Sequence, residues 1–208
     1  MNDPGAPLFA LPVELVLAST SPYRIRQLAR LGIEFRAVSP PIDEQTVVES
    51  DPIETIVARA RAKARSVAAL DSCSAAWVVA ADQGVVLVDA TGRSRLLGKP
   101  GRADRAVEQL MELAGRSHTL ATAIALTLPD GQTLEALEEV VVTMRAFSRD
   151  EALATVHRDQ TWDCAGAYKI EAAGPWLMEA VQARDPTAIE GMPLVAFGQL
   201  LRRALALS

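Results

Sequence analysis

One carboxylate stands where only chemistry or a partner can explain it. Asp82 lies between two apolar, β-rich runs, Trp77 to Ala81 and Val85 to Val88. Burying an unpaired carboxylate costs several kcal/mol even after relaxation, so Asp82 must be paired, hydrated or used. A second stretch carries chemistry of the opposite sign. The apolar run Leu15-Val16-Leu17-Ala18 ends abruptly in Ser19-Thr20-Ser21-Pro22-Tyr23-Arg24, three hydroxyls, a proline, an aromatic ring and a cation. Ser21 suits a helix N-cap and Pro22 the first helical position, so free backbone N–H groups and hydroxyls are expected beside Arg24. That is an anion site in outline, although an arginine in a first helical turn is ordinarily just solvated.

The elements that must position these groups can be read in order. Val13 to Ala18 is expected to be a short buried strand, followed by an amphipathic helix carrying Ile25, Leu28, Ala29 and Leu31 that Gly32 ends. Ile33 to Val38 alternates as a half-buried strand does, and Ile42 to Ser50, which holds Asp43 and Glu44, is expected to be loop. Asp51-Pro52 opens a helix with Ile53, Ile56, Val57, Ala60, Ala64, Val67 and Ala68 on its apolar face and Lys63 within it. Asp82-Gln83-Gly84 is read as an interruption between two strands. Lys99 follows in Gly98-Lys99-Pro100, Ala103 to Ala114 is helical, and two strands joined by Leu128-Pro129-Asp130-Gly131 occupy Ser117 to Phe147. Ser148 and Glu151 form a capping box. Trp162 to Glu171 is expected to be a small-residue loop feeding a strand, and Gly191-Met192-Pro193-Leu194 opens a last amphipathic helix through Leu205. The pattern predicts an α/β protein on a mixed, elongated sheet, with a flexible leader over residues 1–12 and one domain over 13–208.

Composition narrows the function. The chain has 208 residues, half of them hydrophobic, which is ample for a core. No apolar run is long enough to span a bilayer, and the start lacks the features of a signal peptide, so the expectation is a soluble, cytoplasmic protein with no membrane partner. The net charge of −5 argues against a protein that coats a nucleic-acid polymer but leaves room for local cations around one small anion. Cys73 and Cys164 lie far apart without metal-ligand spacing, and neither His118 nor His157 has a neighbour at ligand spacing. Structural or surface roles are expected for the histidines and a small buried role for Cys164.

The Ser-x-Ser-Pro-x-Arg pattern of residues 19–24, ahead of a Leu-rich helix, resembles the opening signature of the Maf family of nucleoside triphosphate pyrophosphatases. The resemblance continues through Asp43-Glu44, Ala62-Lys63-Ala64, Ala81-Asp82-Gln83, Leu97-Gly98-Lys99-Pro100, Cys164-Ala165-Gly166-Ala167-Tyr168 and Gly191-Met192-Pro193-Leu194. It implies two lobes flanking a central cleft, in an architecture shared with inosine triphosphate pyrophosphatases. It also implies hydrolysis of a nucleoside triphosphate between its α and β phosphates, with Asp82 as base. Ser19, Ser21, Arg24, Lys63 and Lys99 would hold the phosphates, and Glu44 with Asp82 would hold Mg²⁺ or Mn²⁺. Ala62 stands where relatives often carry Glu, which leaves the metal to those two carboxylates. Tyr23, Gln83 and Glu171 resemble the trio of the branch that hydrolyses 7-methyl-GTP, where the aromatic is usually Trp. The competing readings are a dTTP or UTP pyrophosphatase and a regulatory nucleotide-binding protein of cell division without turnover. A homodimer is implied by analogy alone.

Overall fold

A computed structural model describes residues 11–207, so nearly all of the expected leader lies outside the described residues. Strand β1 (Leu15–Leu17) leads into helix α1 (Pro22–Ala29), and Gly32 takes φ +65° after it. Then come β2 (Arg36–Ala37), helix α2 (Pro52–Ala68), the long strand β3 (Trp77–Val88), β4 (Ser94–Leu97) and helix α3 (Ala103–Leu113). The hairpin of β5 (Ser117–Thr127) and β6 (Thr133–Met144) precedes helix α4 (Arg149–Asp159), strand β7 (Met178–Ala183) and helix α5 (Leu194–Leu205). Among the described residues seven strands form one sheet in the order β2-β1-β3-β5-β6-β7, with β4 paired to β3. Strand β1 pairs in parallel with β2 and β3, and the remaining pairs are antiparallel, so the sheet is mixed. No helix among the described residues is long and apolar enough to cross a membrane.

Strand periodicity distributes the core. Even-numbered β3 residues Val78, Ala80 and Val86 meet the α2 residues Ile56, Ala60, Ala64 and Val67 on one face. The odd-numbered residues supply two separate clusters on the other face. Trp77, Val79 and Ala81 pack with α1 and α5, whereas Val85 and Leu87 pack with α3 and α4. Between those clusters runs a line of polar residues in register across three strands, Gln83 opposite Thr122 and Thr122 opposite Glu138. On this face the seam separates two lobes, while the cluster under α2 on the opposite face is continuous past it.

Several elements depart from the sequence reading. Asp82-Gln83-Gly84 does not interrupt β3, which runs for 12 residues. Both polar side chains find partners, so the ladder continues through them. The first two strands are shorter than expected, with three and two residues. No strand follows Tyr168 directly, because Gly166 and Ala167 take positive φ values of 79° and 58° and fold the segment into short turns. Strands β4 and β7, absent from the sequence reading, are short and mostly exposed, so no apolar run marked them.

Candidate active site

The site begins with Lys63. It lies seven residues after Ile56 and three after Ala60, on the face that α2 turns to the sheet, and it is 7 % exposed. Asp82, equally buried, points from the even-numbered face of β3 toward the same helix, and its Oδ1 accepts a hydrogen bond of 2.6 Å from Lys63 Nζ. The same ammonium forms an ion pair with Glu44. Glu44 stands on a short 3₁₀ turn capped by Asp43, whose carboxylate accepts from the Gln45 amide at 3.0 Å. Arg59 ties the far end of that loop to α2 by donating to the Val47 carbonyl at 3.0 Å. One buried cation therefore joins a loop carboxylate to a strand carboxylate. Burial pushes the Glu44 carboxyl up, but the hydrogen bond from Lys63 and the charges of Lys63, Lys99 and Arg24 outweigh it and hold the group below its ordinary value.

These groups border a cleft of about 440 Å³ lined by Ser19, Ser21, Tyr23, Arg24, Glu44, Lys63, Gln83, Lys99 and Glu171 among others. Asp82 lies one layer beneath, against the lysine. Ser19 is buried and its hydroxyl accepts from the Ser21 amide at 3.2 Å. Ser21 occupies the N-cap of α1 with extended backbone, but its hydroxyl makes no capping bond, contrary to the usual behaviour of that position. The first-turn amides and that hydroxyl are left for another acceptor or donor. Arg24 Nε donates to the Gly191 carbonyl at 3.0 Å, which leaves the two terminal nitrogens for a bidentate oxyanion. Burial draws its guanidinium below the ordinary value, opposed by the charges of Asp82 and Glu44. Lys99 is exposed on the loop after β4, which Gln109 steadies through the Gly98 carbonyl at 3.1 Å.

The other wall carries the aromatic ring and the acids. Tyr23 has Arg26 at 5.0 Å and Lys169 at 5.5 Å from its ring centroid. Lys169 also donates to the Asp159 carbonyl at 2.8 Å, pinning the segment that bears the exposed Glu171 to the end of α4. The charge of the lining is balanced: Arg24, Lys63, Lys99 and Lys169 face Glu44, Asp163, Glu171 and Glu190. Cys164 is half-buried on the cleft wall, where a fully buried position was expected. Burial and the charge of Asp163 push its thiol up to about 12, away from the thiolate form. His118 is buried, away from the lining, with Nε2 2.9 Å from the Tyr168 hydroxyl.

The sequence reading singled out Ser19, Ser21, Tyr23, Arg24, Glu44, Lys63, Gln83, Lys99 and Glu171 of the lining, and Asp82 beneath it, but not the lining residues Asp163 and Glu190. Lys169 and Thr122 were not singled out either. Lys169 stands one residue past the motif Cys164 to Tyr168. Thr122 had a visible signal, a polar residue in the apolar alternation Leu120, Ile124, Leu126.

A mixed α/β sheet here sets a buried lysine, paired with two carboxylates, beside a cleft that also holds Arg24 and Lys99, an arrangement with room for a small anion. The sequence comparison makes that reading specific. A family model described as Maf-like protein matches residues 14–204, and the chain belongs to that family. The 7-methyl-GTP pyrophosphatase of Xanthomonas campestris pv. campestris (strain 8004) is 37 % identical over 190 residues, covering 91 % of this chain and 95 % of the relative. The 7-methyl-GTP pyrophosphatase of Burkholderia orbicola (strain AU 1054) is 39 % identical over 197 residues, covering 93 % and 90 %. Among solved structures, the nucleoside-triphosphatase / dITP/XTP pyrophosphatase of Mycobacterium abscessus aligns over 63 % of this chain and 72 % of its own at 20 % identity, with a TM-score of 0.41.

Proposed function

We propose that this protein hydrolyses a nucleoside triphosphate, preferentially 7-methyl-GTP, to the monophosphate and pyrophosphate. The observation that carries the reading is the convergence of Arg24, Lys63 and Lys99 with Glu44 on one cleft, with Asp82 directly behind Lys63. The names of the curated relatives support the same substrate. Arg24 grips phosphate oxygens through its free terminal nitrogens, and Lys99 adds charge from the exposed loop. Lys63 holds Asp82 through Oδ1, leaving the second carboxylate oxygen to accept a proton from water. That water attacks the α-phosphorus, the bond to the bridging oxygen breaks, and pyrophosphate leaves.

Glu44 and Asp82 are hard donors that fit a divalent cation such as Mg²⁺ or Mn²⁺. No group of three candidate ligands occurs among the described residues, so phosphate oxygens and water would complete the shell. When bound, the ion supplies positive charge that the balanced lining lacks for a triphosphate. The base would stack on Tyr23 and meet Glu171. Because Arg26 and Lys169 already approach the Tyr23 ring, a cationic base gains only what exceeds those contacts. By the family resemblance we further propose one domain over residues 13–208, a cytoplasmic location and a homodimer.

The test is kcat/KM for 7-methyl-GTP, GTP, dTTP and UTP with pyrophosphate as readout. A preference for 7-methyl-GTP supports the reading. A preference for dTTP or UTP overturns the substrate assignment, and no pyrophosphate from any nucleotide overturns the activity.

A further inference from the structure

A glutamine amide is an ambiguous reader, since one end donates and the other accepts. In this cleft the ambiguity is removed. Gln83 Nε2 donates to the Ala188 carbonyl at 2.8 Å and to the Thr122 hydroxyl at 2.9 Å. Thr122 is fully buried and spends its own hydrogen on the same carbonyl, at 3.1 Å. A carbonyl cannot donate, so turning the amide over would set Oε1 against the Ala188 oxygen, two acceptors in contact in a buried setting. Oε1 therefore keeps the outward position. It has no partner among the described residues, and a side chain on Gly191 would lie 3.5 Å from it, so the glycine leaves its approach open.

We propose that Thr122, with the Ala188 carbonyl, locks Gln83 as a hydrogen-bond acceptor toward the cleft, so that the base site selects a purine nucleotide whose pairing edge offers donors. This deepens the nucleotide-hydrolase reading and rests on it. Glu171 on the cleft wall is likewise acceptor-only when ionised. Guanine offers two adjacent donors, its N1–H and its exocyclic amine, to such a wall. Uracil offers one N–H flanked by two carbonyl oxygens, whose lone pairs meet acceptors. A base that leaves a desolvated acceptor unpaired loses far more than a base that merely fits less well. Thr122 touches no substrate in this account and is a positioning residue.

The test compares kcat/KM for GTP, 7-methyl-GTP and UTP in the wild type, Thr122→Val, Thr122→Ser, Gln83→Leu and the Gln83→Leu/Thr122→Val double variant. Thr122→Val should shrink the preference of both guanine nucleotides over UTP by about fivefold, the worth of one ordinary hydrogen bond. Thr122→Ser, which keeps the hydroxyl, should restore it. In the Gln83→Leu background, Thr122→Val should leave the ratio unchanged, because the threonine acts only through the amide. Equal losses on all three nucleotides, a persisting effect without Gln83, or a wild type that favours UTP would overturn the lock. The same ratios read as Kd by calorimetry keep the two readings apart: binding with the expected ratios but without turnover sinks the hydrolase alone, and failure to bind any of the three sinks both.

Discussion

Asp82 and His118 are both buried polar side chains, one with a charged partner and one without. The Asp82 carboxylate accepts a hydrogen bond from the Lys63 ammonium at 2.6 Å through Oδ1 and lies within the field of Arg24, so Oδ2 is the oxygen available to take a proton. Asp82→Asn keeps the shape and loses that capacity. Turnover should fall by about a hundredfold or more while nucleotide affinity survives, measured by pyrophosphate release beside calorimetry. Near-normal turnover would remove Asp82 from the mechanism. His118 has a phenol at one nitrogen and no partner at Nδ1 among the described residues, and burial pushes its pKa down from 6.5 to about 4. The unfolded chain therefore binds a proton that the folded chain refuses between those two values, so stability falls as pH drops from 6.5 toward 4. The full loss is about 3 kcal/mol. Thermal melts across that range should show the slope, and His118→Gln, which cannot titrate, should flatten it relative to the wild type.

At the scale of elements, the strand that carries the site shows why some of the structure was legible and some was not. The two apolar, β-rich runs of Trp77 to Val88 marked β-structure, but Asp82-Gln83-Gly84 read as a break because no local signal says that α2 brings Lys63 to Asp82 or that β5 brings Thr122 to Gln83. Helices were easier. Asp51 caps α2 through the Ile53 and Glu54 amides, and Ser148 and Glu151 form the expected box, because those bonds join residues close in sequence. Strand β7 escaped because an edge strand packed on one side has little burial to advertise. The site residues could be collected from their motifs, but their layering, with Asp82 behind Lys63, depends on how α2 crosses β3. Gly84 marks that crossing. A methyl group there would overlap Leu96 Cδ1 and lie 3.2 Å from Ile56 Cδ1. Gly84→Ala should therefore destabilise the fold by about 1–3 kcal/mol, lowering the melting temperature, with its effect on activity following the displacement of α2. An unchanged melting temperature would show that the contact yields freely.

For the whole molecule, charge makes the sharpest demand. The chain carries −5 overall, and its cleft sets four cations against four acids, so a triphosphate brings several negative charges to a surface with no net positive charge waiting. Chelation of divalent ions should weaken triphosphate binding and abolish pyrophosphate release, and Mg²⁺ or Mn²⁺ should restore both. Full activity in excess chelator would show that Arg24, Lys63 and Lys99 suffice alone. The seam of Gln83, Thr122 and Glu138 bears on a different property. The lobes on either side have their own apolar clusters, and none of the three seam residues belongs to either. Exchanging Gln83 for another side chain that can satisfy Thr122 and Ala188 disturbs neither cluster. A lineage built on this sheet could therefore change which nucleotide it destroys while its tolerance of heat stayed where it was, because the choice of substrate and the packing of the interior are written in different residues.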